Sequence, residues 1–334
     1  MKFSCLFYIT VLWLLIASVS GCSRETTKIK FEYGTFPDTI IPLDGLNTVY
    51  NDYNIAFDPL VPGTITSSVP VVFASDRNSQ GSDFDLVYGF IGYTFNRITG
   101  EFSVSAASEE DPFLKSLVNA MNTSGNDYGP NRVYCSEDGY EYAFVASEVP
   151  GRGLDLRYTR YIPVYSASTS VPGPVPAAIF NSTSDDAYVT FNSRLDTAYF
   201  CSDREGIFNI YSVKRNREES FNTWLLSSQN QPQPVDSIRS AANEKCPCVS
   251  GKVMVFASDR DGGYGGWDLY FSVFRSGKWS SPVNMGKKVN TQYNEYRPVI
   301  FTNNSYTNRF MVFSSDRPGG KGGYDLYFTG FNIK

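Results

Sequence analysis

Histidine is missing from all 334 residues of the sequence. No mechanism can therefore use an imidazole as general base, and no metal site can contain a histidine ligand. A serine hydrolase triad and a histidine-liganded lyase are excluded for the same reason. These enzyme classes are set aside before any motif is considered.

Charged residues are also scarce, and no basic cluster occurs along the sequence. Asp, Glu, Lys and Arg make up 19% of the residues, and the formal net charge is −5. A mildly acidic chain without a basic run is not expected to bind nucleic acid. No second apolar run of membrane-spanning length follows the N-terminal segment, so we expect a soluble, monomeric domain tethered to a membrane.

The N-terminus has the pattern of an exported lipoprotein. Lys2 precedes an apolar run at residues 6–17 that is too short to span a membrane. Val19-Ser20-Gly21-Cys22 follows, with small residues just before the cysteine. This segment resembles the lipobox of bacterial lipoproteins, which implies cleavage before Cys22 and lipidation of that residue. The alternative is an ordinary signal peptide that is cut nearby.

The lipobox resemblance implies a division of the chain and a location. It makes residues 1–21 the signal peptide, 22–28 a lipidated linker and 29–334 the folded domain. Several acyl chains together anchor a protein stably, so the membrane is an expected partner. Ser23 stands where an Asp would retain an enterobacterial lipoprotein in the inner membrane. The resemblance therefore favours the outer membrane of the cell envelope, and leaves open whether the domain faces the periplasm or the surface.

Four cysteines remain beyond the N-terminal segment: Cys135, Cys201, Cys246 and Cys248. An envelope location would permit disulfides. Cys246 and Cys248 are expected at positions i and i+2 of one strand, about 7 Å apart, which is too far for an easy bond to each other. Buried free thiols are an equal alternative, and the sequence assigns no pairing.

One short signature occurs five times along the chain. Its clearest copy is Asn-Thr-Gln-Tyr-Asn-Glu-Tyr at residues 290–296, and the copies begin at Asn47, Asn122, Asn181, Arg239 and Asn290. Successive copies begin 75, 59, 58 and 51 residues apart. A repeat of this length that contains strands predicts a β-propeller.

A second signature recurs in phase with the first. In the last repeat, an apolar strand ends at Ser315-Asp316-Arg317, a glycine-rich turn covers residues 318–323, and Asp325-Leu326-Tyr327 begins another strand. An Asp beside such a turn can accept hydrogen bonds from its unpaired amides, and Arg can pair with a carboxylate, so we interpret these residues as structural. They are Asp76, Arg77, Asp203, Arg204, Asp259, Arg260, Asp316 and Arg317, together with Asp85, Asp155, Asp268 and Asp325.

The two signatures resemble the TolB-type, WD40-like propeller repeat of Bacteroidetes envelope proteins. Residues 279–327 match the family phrase almost throughout, residues 47–88 match well, and repeats two and three are degenerate. The resemblance implies an all-β protein with a single propeller and gives no enzymatic activity. The phase of the repeat predicts five four-stranded antiparallel blades. Because the chain ends after the third strand of the last blade, a strand from residues 28–33 or 39–42 is expected to close that blade.

Two insertions break the repeat. Residues 108–121 predict a short helix that begins near Ser108 and Asp111 with Pro112 in its first turn. Residues 161–178 are rich in Pro, Ser and Ala and predict a long irregular loop. Long loops on a rigid ring commonly carry specificity, so functional specificity is expected in these two segments.

The acidic residue of the first signature precedes the innermost strand of each blade: Asp52, Asp127, Asp186, Glu244 and Glu295. Five carboxylates around one mouth of the channel suit a hard cation such as Ca²⁺, and the sequence predicts no other cofactor. Closely packed carboxylates can also serve as catalytic acid and base. The third interpretation is structural, with each carboxylate bonded at the strand entry. Separately, Tyr264, Trp267 and Trp279 are candidates for a sugar-binding surface. The alternative, which the aromatic composition of the whole chain favours, is that they pack in the core or at an edge.

Two functions follow. The leading hypothesis is a non-enzymatic envelope lipoprotein whose propeller binds a protein or glycan partner. The alternative is a carbohydrate-active enzyme that uses carboxylates at the central channel.

Overall fold

Five antiparallel sheets succeed one another along the chain in the computed structural model. The structure describes residues 30–31, 34–36, 39–60, 66–166, 169–229, 231–302, 309–331 and 333. The predicted signal peptide, Cys22 and the linker at 22–28 lie outside the described residues. No helix within the described ranges is long and apolar enough to cross a membrane.

Each sheet is one blade, and its inner strand is the one nearest the propeller axis. The strand numbers follow the order along the chain. The inner strands contact one another in a closed ring. They are β2 (Asp52–Phe57), β6 (Asp127–Cys135), β10 (Asp186–Phe191), β14 (Glu244–Ser250) and β19 (Glu295–Thr302). The second strands are β3 (Thr66–Ser75), β7 (Tyr140–Val149), β11 (Thr197–Ser202), β15 (Val253–Ser258) and β20 (Arg309–Ser315).

The third strands complete the three-strand core of each blade. They are β4 (Asp85–Phe95), β8 (Gly153–Tyr161), β12 (Asn209–Lys214), β16 (Asp268–Arg275) and β21 (Asp325–Phe331). The outer strands are mostly short: β5 (Phe102–Ala107), β9 (Val175–Pro176), β13 (Gln233–Pro234) and β1 (Ile41–Pro42). In blade four, β17 (Lys278–Trp279) and β18 (Val283–Asn284) share the outer position. The predicted five-bladed propeller is confirmed.

The last blade is closed by the N-terminal strand, as predicted. Of the two segments considered, Ile41–Pro42 supplies it and pairs antiparallel with Phe328 and Tyr327 of β21. The earlier residues Lys30 and Phe31 instead donate backbone hydrogen bonds to the carbonyl of Arg97 in blade one. Closure joins both ends of the chain in one sheet and removes two exposed edges.

Every inner strand bulges two residues after its acidic residue. The residues there have positive φ angles: Asn54 (63°), Gly129 (54°), Tyr188 (59°), Cys246 (55°) and Arg297 (48°). The pairing register with the second strand shifts at each of these points. A left-handed backbone is strained for every residue except glycine, and a bulge redirects the local side chains. The repeated bulge therefore redirects four different side chains, those of Asn54, Tyr188, Cys246 and Arg297, and leaves the fifth position to Gly129.

The helix predicted in the first insertion is present as α1 (Pro112–Met121). Asp111 is its N-cap and accepts from the amide of Leu114 at 2.8 Å. Ser108 does not cap the helix, because its hydroxyl donates to the carbonyl of Gly45. The second insertion, 161–178, begins with the last residue of β8, and its described residues beyond Tyr161 are irregular apart from β9.

A second helix, α2 (Phe221–Leu226), was not predicted. Ser220 caps it, and Phe221, Trp224 and Leu225 are buried in the core between blades two and three. Six residues are too few to show a helical period in the sequence.

The four cysteines are free and buried in the structure. Burial raises the pKa of the Cys246 thiol to about 11, so this thiol stays protonated at neutral pH. The free-thiol alternative therefore describes these residues.

Candidate functional site

The acidic residues of the first signature are fully buried and bonded within their own blades. Glu295 accepts from the amide of Thr291 at 2.7 Å, from its hydroxyl at 2.6 Å and from Ser315 Oγ at 3.2 Å. Arg317 Nη2 also donates to it at 2.9 Å. Arginines of the second signature pair in the same way with Asp52, Asp186 and Glu244. These four carboxylates therefore have both hydrogen-bond partners and a counter-ion.

Asp127 has no arginine partner, because Val149 stands at that position of its blade. It accepts from the amide of Thr123 at 2.6 Å and from the Ser147 hydroxyl. Burial raises the pKa of Asp127 to about 6, although these hydrogen bonds lower it. Within the described ranges, no group of three or more Cys, Asp or Glu side chains is arranged to hold a metal ion.

The asparagines of the first signature connect neighbouring blades. Asn290 donates to the carbonyl of Leu269 at 2.9 Å and accepts from its amide at 2.8 Å. Asn294 donates to Asp316 of its own blade at 2.7 Å and accepts from the amide of Trp267 in the preceding blade at 3.0 Å. An amide side chain suits this role because it carries a donor and an acceptor.

Two of the aspartates at the start of the third strands, Asp268 and Asp325, accept hydrogen bonds from the amides of the preceding glycine-rich turns. Asp325 accepts from the amides of Lys321 at 2.8 Å and Gly322 at 3.0 Å. Asp268 accepts from the amides of Tyr264 at 2.7 Å and Gly265 at 3.1 Å. Asp85 accepts from Asn78, and Asp155 forms an ion pair with Arg152.

A cavity of about 370 Å³ opens on the propeller axis at the opposite mouth, where the inner strands end. All five inner strands contribute to its lining, and we call it the axial pocket. Its polar side chains are Asp58, Asn131, Arg132, Thr190, Arg297 and Thr302. The pocket therefore collects side chains that lie outside the two signatures.

A buried charged cluster lies beside this pocket. The guanidinium of Arg132 bonds Asp58 Oδ2 at 3.0 Å and Glu141 Oε1 at 2.6 Å. Tyr165 donates to Glu141 at 2.6 Å and to Asp58 at 3.2 Å. Tyr161 donates to Glu141 as well. Burial opposes the charge of Arg132, but the neighbouring Tyr161, Glu141 and Asp58 raise its pKa well above the ordinary value.

Both insertions of the sequence meet at this cluster. Tyr161 ends β8, and Tyr165 follows it within the second insertion, 161–178. Phe113 of α1 packs against both tyrosines, with ring centroids 5.4 Å and 5.1 Å apart. The segments in which functional specificity was expected therefore support one common site.

Sequence reasoning missed Asp58, Arg132, Glu141 and Arg297. The sequence did contain a signal for Arg132, which is the fifth residue after the acidic residue of its repeat. In each of the other four repeats that position holds an apolar residue. Those residues are Phe57, Phe191, Val249 and Ile300.

The three aromatic residues considered for a sugar-binding surface do not lie together. Trp279 is buried against Tyr199 and Phe274, with ring centroids 5.7 Å and 5.2 Å away. Trp267 packs against Tyr296 near the start of the inner strand β19, and Tyr264 is exposed. Trp279 therefore follows the core-packing alternative, because the outer strand β17 turns its ring into the core.

No family model matches the chain, and no curated protein matches it. Among solved structures, a thermostable family-43 glycoside hydrolase superposes with a TM-score of 0.53 at 10% sequence identity, covering 88% of this chain and 93% of the hydrolase. An endo-arabinase from Bacteroides thetaiotaomicron superposes with a TM-score of 0.52 at 12% identity, covering 89% and 98%. At this identity the likeness establishes the five-bladed fold alone. The TolB-type resemblance stays a prediction from the repeat.

Proposed function

We propose that this propeller binds a carbohydrate in the axial pocket and does not hydrolyse it. The observation that carries the proposal is the cluster of Asp58, Arg132, Glu141 and Tyr165, which breaks the five-fold repeat at one mouth of the channel. The volume of the axial pocket, about 370 Å³, suits a small-molecule or saccharide site. Glycan was one of the two partners expected from the sequence, and the glycoside hydrolase neighbours favour it over a protein.

The chemistry of the lining supports a saccharide. Sugar hydroxyls both donate and accept hydrogen bonds, and the pocket offers carboxylate, amide, hydroxyl and guanidinium groups on a rigid ring. The apolar walls include Phe57 and Phe301, which can pack against the faces of a sugar ring. Polar groups set between apolar walls are the usual composition of a ligand pocket.

Binding without hydrolysis follows from the state of the carboxylates. A glycosidase needs one carboxyl group to donate a proton and another to attack or to activate water. Asp58 and Glu141 are both paired with Arg132, and Glu141 has no exposed surface. The five acidic residues at the other mouth are also completely buried and bonded. None of these groups is free to transfer a proton to a substrate.

A glycoside hydrolase is the second candidate. The Tyr165 hydroxyl lies 3.2 Å from one oxygen of Asp58 and 2.6 Å from one oxygen of Glu141. The distance between these two carboxylate oxygens therefore cannot exceed the sum of the two hydrogen-bond lengths. That upper limit falls short of the spacing of inverting enzymes, about 6.5–9.5 Å, and lies near the value of about 5–5.5 Å for retaining enzymes. The structural neighbours favour this candidate, which requires Arg132 to release both acids.

We also propose that the protein is anchored in the outer membrane by lipid on Cys22, which the lipobox supports. Metabolic labelling with a radioactive fatty acid should mark the wild-type protein and leave a Cys22→Ser variant unlabelled. Equal labelling of both proteins would contradict the anchor.

The carbohydrate proposal is tested by screening the mature chain against a panel of plant and microbial glycans. We expect saturable binding to at least one glycan and no release of reducing sugar. Sugar release that is lost in Asp58→Asn, with an unchanged melting temperature, would establish the second candidate instead. Absence of glycan binding, together with recovery of one protein after crosslinking in cells, would overturn both.

A further inference from the structure

We infer that the saccharide is acidic, and that it runs from Arg297 on the propeller axis into a cationic groove across blades three to five. This inference rests on the proposed carbohydrate function and names the class of glycan. Two features carry it: an arginine on the axis that has no ion-pair partner among the described residues, and a positively charged groove that shares the wall residue Val249 with the axial pocket.

Arg297 is the only charged residue among the five bulge positions on the axis. It is 3% exposed and has a strained φ of 48°. Its Nη2 donates to the carbonyl of Pro130 at 2.9 Å, and its Cζ lies 5.3 Å from the centre of the Tyr188 ring. Within the described part of the chain, Nε has no hydrogen-bond partner and the guanidinium has no carboxylate in ion-pair contact.

A buried charge without a counter-ion is unfavourable for folding. In Arg132, which lines the same pocket, the same cost is offset by two carboxylates. For Arg297 the missing partner is an anion, and a planar guanidinium matches a carboxylate best because the two can form parallel hydrogen bonds. We therefore place a carboxylate of the ligand at Arg297.

Basic side chains also line the surface beyond the wall of the axial pocket. A groove of about 720 Å³ shares Val249 with the axial pocket, and a further groove of about 760 Å³ shares Lys252 with the first. We call these two grooves together the cationic groove. Its basic side chains are Arg194, Lys214, Lys252, Arg275, Lys278 and Arg309, against the acids Asp196 and Asp236.

This charge is local, because the whole chain carries a net charge of −5. Five of the six basic side chains are exposed, and none of the six forms an ion pair within the described ranges. An elongated groove with spaced cations fits a polymer with regularly spaced anions, and it attracts that polymer over a longer range than hydrogen bonds do. A glycan of uronic acids has this form.

The test measures binding of the mature chain to oligogalacturonide by calorimetry, with neutral galacto-oligosaccharide of equal length as comparison. We expect binding of the acidic oligomer at least tenfold tighter than of the neutral one, weakening as salt concentration rises. A sulfated galacto-oligosaccharide separates carboxylate from sulfate: tighter binding of the sulfated oligomer would overturn the carboxylate assignment.

The groove is tested by the double variant Lys252→Gln/Lys278→Gln. The matched control, Lys115→Gln/Arg152→Gln, removes the same charge from exposed side chains outside the groove. We expect the first to lower the affinity at least tenfold and the control to leave it within about twofold. Equal losses in both would show that only the overall charge matters and would overturn the groove.

The axial anchor is tested by Arg297→Met, which keeps an unbranched apolar side chain and removes the guanidinium and its charge. We expect loss of oligogalacturonide binding together with a higher melting temperature, because a buried unpaired charge has been removed. A lower melting temperature with unchanged binding would make Arg297 a structural residue.

Two further outcomes separate this inference from the proposed function. Tight binding of a neutral saccharide alone would overturn the acidic ligand and leave carbohydrate binding intact. Binding of an oligonucleotide as tight as that of oligogalacturonide would overturn both and make nucleic acid the occupant.

Discussion

Asn290 holds both backbone groups of Leu269 in the preceding blade, donating at 2.9 Å and accepting at 2.8 Å. Three other blade junctions contain the same pair of bonds, formed by Asn47 with Leu326, Asn122 with Leu86, and Asn181 with Leu156. The fifth junction has Arg239 at this position. The first asparagine of the signature therefore joins blades.

Replacement of Asn290 by Ala should lower the free energy of unfolding by about 1–3 kcal/mol, because two buried backbone groups lose their partners. Asn119→Ala, at an exposed position of α1, is the control and should change it by less than about 0.5 kcal/mol. Urea unfolding of both variants measures the difference. Equal effects would show that the asparagine does not join the blades.

Asp127 should make the stability depend on pH. Its pKa is about 6 in the folded protein against an ordinary 3.8, so the folded state binds more protons than the unfolded state between these values. Stability should therefore fall as pH rises from about 4 to about 6 and stay lower above that, by up to about 3 kcal/mol.

The matching variant is Asp127→Asn, which does not titrate. Urea unfolding from pH 4 to 7 should show the wild type losing stability relative to this variant as pH rises. Parallel profiles would mean that Asp127 is not protonated in that range.

The pairing of Arg132 with Glu141 should be visible in a double-mutant cycle. Arg132→Met should lower the free energy of unfolding by about 3–5 kcal/mol, because it leaves buried carboxylates without a counter-ion. Adding Glu141→Gln should recover part of this loss, since one unpaired charge is then removed. Additive losses in the double variant would argue against direct coupling of the two residues.

The short helix α2 should contribute through its buried face. Trp224→Ala should lower the free energy of unfolding by about 3–5 kcal/mol, since the ring is completely buried. Leu226, in the same helix, is 52% exposed, and Leu226→Ala should cost less than about 1 kcal/mol. Thermal unfolding of the two variants tests the difference, and similar melting temperatures would contradict it.

The propeller, its five blades and its closure could be predicted from the sequence, because four of the five junctions use the same asparagine at the same offset. The bulges could not be, since four of the five positive-φ positions hold Asn, Tyr, Cys or Arg, and not glycine. The sequence also predicts that the segment 161–178 carries specificity. That Tyr165 within it would reach Asp58 of blade one depends on how the ring closes.

By itself the sequence determined the repeat that the contacts follow: an asparagine in four of the five copies, an acidic residue at each strand entry and an aspartate at the start of four of the five third strands. These contacts are set by residues a short distance apart or in adjacent repeats, so their spacing is visible in the chain. Only the tertiary structure decided which charges meet. Asp58, Arg132 and Arg297 come from three blades, and the cationic groove collects side chains from three, because residues from separate repeats become neighbours only once the ring has closed.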